Sequence, residues 1–161
     1  MIRLKTAVLL AASLKIGARL GGASVEDADR LYDFGMHIGV AFQLKDDLLD
    51  VYGNAKVFGK NIGGDILCNK KTYMLIKALE HANADQHNQL NSWINAETFQ
   101  PAEKIAAVTE LYDRIGVKAV CENKILEYSN RAMESLAAVS IAEEKKEELK
   151  KIIENLIQYG H

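Results

Sequence analysis

Apolar residues recur at three- and four-residue intervals along almost the whole chain, and no stretch alternates with the period of two that a half-buried strand requires. The pattern predicts a helix over residues 2–20 and a long one over 25–52, with Ser24 and Asp27 as the start signal of the second. A Gly- and Asn-containing loop runs from Gly53 to Asn69. Asn69 is then placed to cap a helix over 70–81, and a short polar helix follows over 84–95. Pro101 suits the first turn of a helix ending near Gly116, and helices over 117–138 and 142–158 complete the chain. In the last helix Leu149, Ile152, Ile153, Leu156 and Ile157 form the expected core stripe. The charged run Glu143-Glu144-Lys145-Lys146-Glu147-Glu148 then reads as a solvated face, with Glu147 and Lys151 spaced for an i,i+4 pair. No repeat, low-complexity tract or linker interrupts the pattern, so the expectation is one all-α domain over residues 1–161.

Phe34 to Tyr52, FGMHIGVAFQLKDDLLDVY, departs from ordinary amphipathic patterning. From Phe34 to Leu44 there is no charge and apolar residues point all round the helix, which predicts burial. The segment then runs into Lys45, Asp46, Asp47 and Asp50. Asp46 and Asp50 share a face one turn apart, with Gln43 one turn earlier. Two carboxylates on one face repel and resist desolvation unless a cation joins them, and Mg²⁺ is the hard cation that takes one or two carboxylates with waters and phosphate oxygens. The competing reading is a helix that simply emerges into water at Asp46. Downstream, Gly59-Lys60, Gly63-Gly64-Asp65 and Asn69-Lys70-Lys71-Thr72 place glycines and lysines together, a composition suited to phosphate. Acids beside lysines suggest a metal–diphosphate complex as the shared guest. Lys71 and Lys77 read as surface lysines.

Composition narrows the setting. The 161 residues are 48% apolar, enough for a core, with one proline and 7% aromatics, which speaks against a β-sandwich and against disorder. A net charge of −2 argues against broad nucleic-acid binding. Two cysteines, Cys68 and Cys121, imply no disulfide scaffold, and a cytoplasmic location is expected. The opening MIRLKTAVLLAASLKIGA has the outline of a secretory signal, but Lys15 breaks its apolar run, so a helix with Lys5 and Lys15 at its polar edge is the better reading. The run is too short for a membrane span. His37 reads as a core histidine, His81 and His87 are six apart and unsuited to one helical face, and Trp93, Tyr112 and Tyr128 read as packing residues.

FQLKDDLLDVYGNAKVFGKNIGGDILCNKKTYMLIKAL closely resembles the second aspartate-rich region of the trans-isoprenyl diphosphate synthases, the polyprenyl synthetases. Lys5-Thr6 resembles the Lys-Thr pair of that family, at a fitting distance from Phe42-Gln43. The resemblance implies an all-helical bundle of the isoprenoid synthase type, present here in its C-terminal half only. It also implies a reaction in which Mg²⁺ assists departure of diphosphate from an allylic diphosphate, isopentenyl diphosphate attacks the resulting cation, and a proton is lost. Carried over by position, Asp46 is the principal Mg²⁺ ligand, with Asp47 and Asp50 supporting it. Lys5, Lys60 and Lys70 hold diphosphate, and Thr6 and Gln43 face the developing cation.

The resemblance spans this whole chain but about half of a family member. The first aspartate-rich motif and the upstream basic region for isopentenyl diphosphate do not occur in it, so Met1 is expected to be an internal methionine or the start of a shortened chain. The expectation is therefore a half-enzyme, inactive alone, partnered by the N-terminal half of the synthase and prone to homo-oligomerise through an exposed apolar face. A non-catalytic helical subunit of a partner synthase and a terpene-cyclase relative are the alternatives.

Overall fold

The computed structural model of the chain describes residues 2–54 and 62–158, with the side chains of Ile157 and Gln158 outside the described part. Among the described residues there are eight α-helices and no strand. A π-helical turn, Arg3–Ala7, leads into α1 (Val8–Leu20) and α2 (Val25–Tyr52). A single turn, α3 (Gly64–Leu67), precedes α4 (Tyr73–His81), α5 (Ala84–Asn95), α6 (Pro101–Ile115) and α7 (Val117–Ala137). A 3₁₀ turn at Glu143–Lys145 and α8 (Glu147–Gln158) follow. None of the described helices is long and apolar enough to cross a membrane.

Contacts group the described residues into two compact units, the first formed by residues 2–45 together with 124–158, the second by residues 46–54 together with 62–123. In the first unit, α1 and α2 meet through small residues. A β-carbon on Gly35 would lie 2.6 Å from the Ala11 Cα, and one on Gly39 would lie 2.6 Å from the Ala7 Cα. Phe34, Ile38, Ala41 and Leu44 are buried along α2, as the charge-free run predicts, but the burial is not complete all round, since Phe42 is 54% exposed. Ser24 caps α2 by accepting the Asp27 N–H at 3.0 Å. The Asp27 carboxylate does not return to the cap; it accepts the Ser140 N–H and an Arg30 guanidinium N–H, both at 2.9 Å, which ties the start of α2 to the segment after α7.

The charged run near residue 145 is not wholly solvated. Lys146 is buried, donating to the carbonyl of Ala137 at the end of α7 and to Glu143. A helix C-terminus leaves carbonyls unsatisfied, and a lysine is a suitable donor to them. Glu147 pairs with Lys150 and Glu148 with Lys151, so the i,i+4 pair expected between Glu147 and Lys151 is replaced by two i,i+3 pairs. Ile153 and Leu156 are buried, whereas Ile152 is exposed; the stripe is narrower than the sequence suggests. The side chain of Ile157 lies outside the described residues.

In the second unit α6 packs against α3, α4 and α5. Asn83 and Gln86 form a reciprocal capping box at α5, Pro101 opens α6, and Gly116 ends it. Thr72, rather than Asn69, caps α4: its hydroxyl accepts the Leu75 N–H. Asn69 instead adopts a left-handed φ of 48°, which is incompatible with an N-cap. The predicted 53–69 loop contains α3, a turn too short to register as periodicity.

Candidate functional site

The sequence-expected residues fall into two groups, one in each unit. In the first, Lys5 and Thr6 lie on the π-helical turn, a distortion common at functional sites. Lys5 is exposed. Thr6 donates its hydroxyl hydrogen to the side-chain carbonyl of Gln43 at 2.8 Å, a contact across 37 residues. The close approach of Ala7 to Gly39 sets this distance, since any side chain at 39 would hold the helices apart. Gln43 is buried, so its amide dipole is fixed.

The second group begins at the end of α2. Leu48 and Val51 are buried and anchor the turn, and this orientation divides the acids. Asp46 is exposed, Asp47 is only 3% exposed, and Asp50 is half-buried. Lys70 donates to Asp47 at 3.0 Å and to Asp65 at 2.7 Å, so one ammonium is shared by two carboxylates. These bonds hold the Lys70 amine above the ordinary lysine range, against the opposing effect of its own burial.

Asp50 is clamped twice by the loop: its carbonyl accepts the Gly63 N–H at 2.6 Å and its carboxylate accepts the Asp65 N–H at 2.9 Å. Gly63 has a φ of +85° with the Ile105 side chain against it, so only glycine turns the chain there without strain. Burial raises the Asp50 carboxyl above the usual carboxylate range, reinforced by the charges of Asp65 and Asp46 and opposed by the Asp65 N–H and Lys70. A neighbouring cation would relieve that cost.

Lys60, expected beside these acids, lies outside the described residues, as does Gly59. Sequence reading gives no role to Asp65, although an acid after a glycine pair and five residues before Lys70 was a usable signal. The donor set fits Mg²⁺: hard carboxylate oxygens at graded exposure, beside cationic side chains. Among the described residues no three acidic, histidine or cysteine side chains form a ready cage. Mg²⁺ does not require one, because waters and phosphate oxygens complete its octahedron. Asp46 and Asp50 would hold it. His37, expected in the core, is only half-buried; its ring centroid lies 6.1 Å from that of Tyr128 and its Nδ1 3.3 Å from the Ser135 hydroxyl.

The sequence profile of polyprenyl synthetases matches residues 1–112. The chain belongs to the polyprenyl synthetase family. This polyprenyl synthetase chain is 37% identical, over 84% of its length, to a short chain isoprenyl diphosphate synthase of Methanothermobacter thermautotrophicus, of which it covers 41%. It superposes on a crystal structure of a geranylgeranyl pyrophosphate synthase with a TM-score of 0.90 at 33% identity, over 99% of this chain and 50% of that one. A second solved structure, a geranylgeranyl pyrophosphate synthase from Corynebacterium glutamicum complexed with isoprenyl diphosphate and magnesium, matches with a TM-score of 0.85 at 31% identity, covering 97% of this chain and 44% of that one. The fold is therefore the all-α fold of these synthases, and the chain spans about half the length of the relatives it matches.

Proposed function

We propose that residues 1–161 are the C-terminal portion of an isoprenoid synthase domain and carry part of the site of a prenyltransferase that joins isopentenyl diphosphate to an allylic diphosphate. The observation that carries this reading is the end of α2, where exposed Asp46, half-buried Asp50 and lysine-bridged Asp47 present three different carboxylate environments within two turns. A solvated surface would not bury Asp47 or hold Asp50 by a loop amide.

Asp46 and Asp50 would hold Mg²⁺, which when bound would supply positive charge to a departing diphosphate. Asp47 and Asp65 fix Lys70, whose ammonium has a third N–H to offer a phosphate oxygen. The family resemblance also assigns Lys5 and Lys60 to diphosphate binding. Thr6 gives its hydroxyl hydrogen to Gln43, leaving the threonine oxygen lone pairs for the positive carbon that develops when the allylic bond breaks. These dipoles are held before the reaction, so no reorganisation is needed as charge appears. The relatives are named as isoprenyl and geranylgeranyl diphosphate synthases, which favours condensation over cyclisation.

The apolar face of α1 favours a partner. Leu9, Ile16 and Leu20 are 75%, 59% and 84% exposed at helix–helix spacing. We assign the face to further helices of the synthase, with self-association in their absence. The test supplies isopentenyl diphosphate, an allylic diphosphate and Mg²⁺ to the purified chain, with Asp46→Ala as control. The expected result is no turnover, together with a Mg²⁺-dependent thermal shift by pyrophosphate that Asp46→Ala removes. Turnover at ordinary enzyme rates would overturn the half-site reading; a pyrophosphate shift indifferent to Asp46 would overturn the metal assignment.

A further inference from the structure

Lys104 lies on α6 and is 1% exposed. Its ammonium has neutral partners: the side-chain carbonyl of Asn69 at 2.8 Å, and the Phe99 ring, whose centroid is 4.2 Å away. Among the described residues it makes no ion pair with a carboxylate, and burial pulls its amine below the ordinary lysine range. Burying a cation this way costs free energy that a methionine of similar volume would not, so packing alone does not explain a lysine here.

The acceptor it serves is unusual. Asn69 is the one described non-glycine residue with positive φ, and its side-chain amide also donates to the Ile94 carbonyl at 2.9 Å. The asparagine is thus gripped at both ends of its amide, by α6 and by the end of α5. Its left-handed backbone reverses the chain so that the Lys70 N–H reaches the Asp65 carbonyl at 2.9 Å, and the Lys70 ammonium then falls between Asp47 and Asp65. A lysine stem has four rotatable bonds, so the placement of its head depends on where its backbone starts.

We infer that Lys104 is a positioning residue for Lys70, acting through the gripped, left-handed Asn69. The functional consequence rests on the reading of the α2 acids and Lys70 as a metal–diphosphate site, and the experiment separates the two. Two variants of the full chain are compared with wild type. Lys104→Met keeps the volume and removes the donor, whereas Asn69→Gly keeps the left-handed backbone and removes both side-chain bonds. The first readout is the slowly exchanging ¹H–¹⁵N signal of the Lys70 ammonium, assigned by its loss in Lys70→Met; the second is affinity for pyrophosphate in the presence of Mg²⁺.

Both variants are expected to remain helical, to lose the Lys70 signal and to bind pyrophosphate about 10-fold more weakly, the scale of outer-shell substitutions. Lys104→Met added to Lys70→Met should weaken binding no further, because one path is already cut. If Lys104→Met does not fold, loss of the signal in Asn69→Gly still supports the relay. A Lys70 signal unchanged in folded Lys104→Met, or in Asn69→Gly, overturns it. A wild-type chain that binds no pyrophosphate but loses the Lys70 signal in both variants supports the relay and overturns the diphosphate reading instead.

Discussion

Individual atoms decide whether Thr6 can serve Gln43. The Ala7–Gly39 approach leaves no room for a methyl group, so Gly39→Ala is expected to lower stability by about 1–3 kcal/mol, the usual cost of overpacking. Gly17→Ala is the matching control: its β-carbon would meet nothing within 4 Å, and it should stabilise by about 0.5–1 kcal/mol through helix propensity. Urea denaturation of the two variants checks both signs. Thr6→Val should cost about 1 kcal/mol by the same measurement, through the lost hydrogen bond. Part of this chemistry is legible in the sequence, because Gln43, Asp46 and Asp50 sit at a spacing that a helix converts directly into one face, whereas Lys5 and Thr6 are indicated only by the family resemblance. The division between exposed Asp46 and buried Asp47 is less so, since it depends on which side of α2 the loop covers. Lys104 is not legible at all: nothing near it in the sequence signals that its partner lies 35 residues earlier.

Among the helices, α2, α5 and α6 follow the sequence pattern within a residue or two. The errors cluster where a few residues carry the structure: the single turn α3, the cap of α4, and the junction into α8. At that junction Lys146 serves as the C-terminal donor for α7, a tertiary role that a run of charges conceals. Its partner Glu143 also pairs with Lys150, and the two lysines lower its carboxyl from 4.5 to about 2. A depressed carboxyl stabilises the fold above its unfolded value, and that contribution is lost as the pH falls through the folded one. The end of α7 and the start of α8 should therefore loosen between about pH 4.5 and 2, seen as faster amide exchange over residues 137–150. Glu143→Gln should show that faster exchange already at neutral pH.

For the molecule as a whole, the exposed stripe on α1 predicts concentration-dependent association. Sedimentation should show oligomers of the wild-type chain, and Ile16→Glu, which places a charge at the centre of the stripe, should shift them toward monomer without loss of helix content. A monodisperse wild-type monomer would remove the case for a buried partner on that face. The small-residue crossing of α1 and α2 has a further consequence, in time rather than in space. Only residues 21–24 separate the two helices, so their pairing closes a short loop, the kind of contact that forms early when a chain folds. The crossing then belongs to the folding nucleus, and Gly39→Ala should slow refolding more than it speeds unfolding.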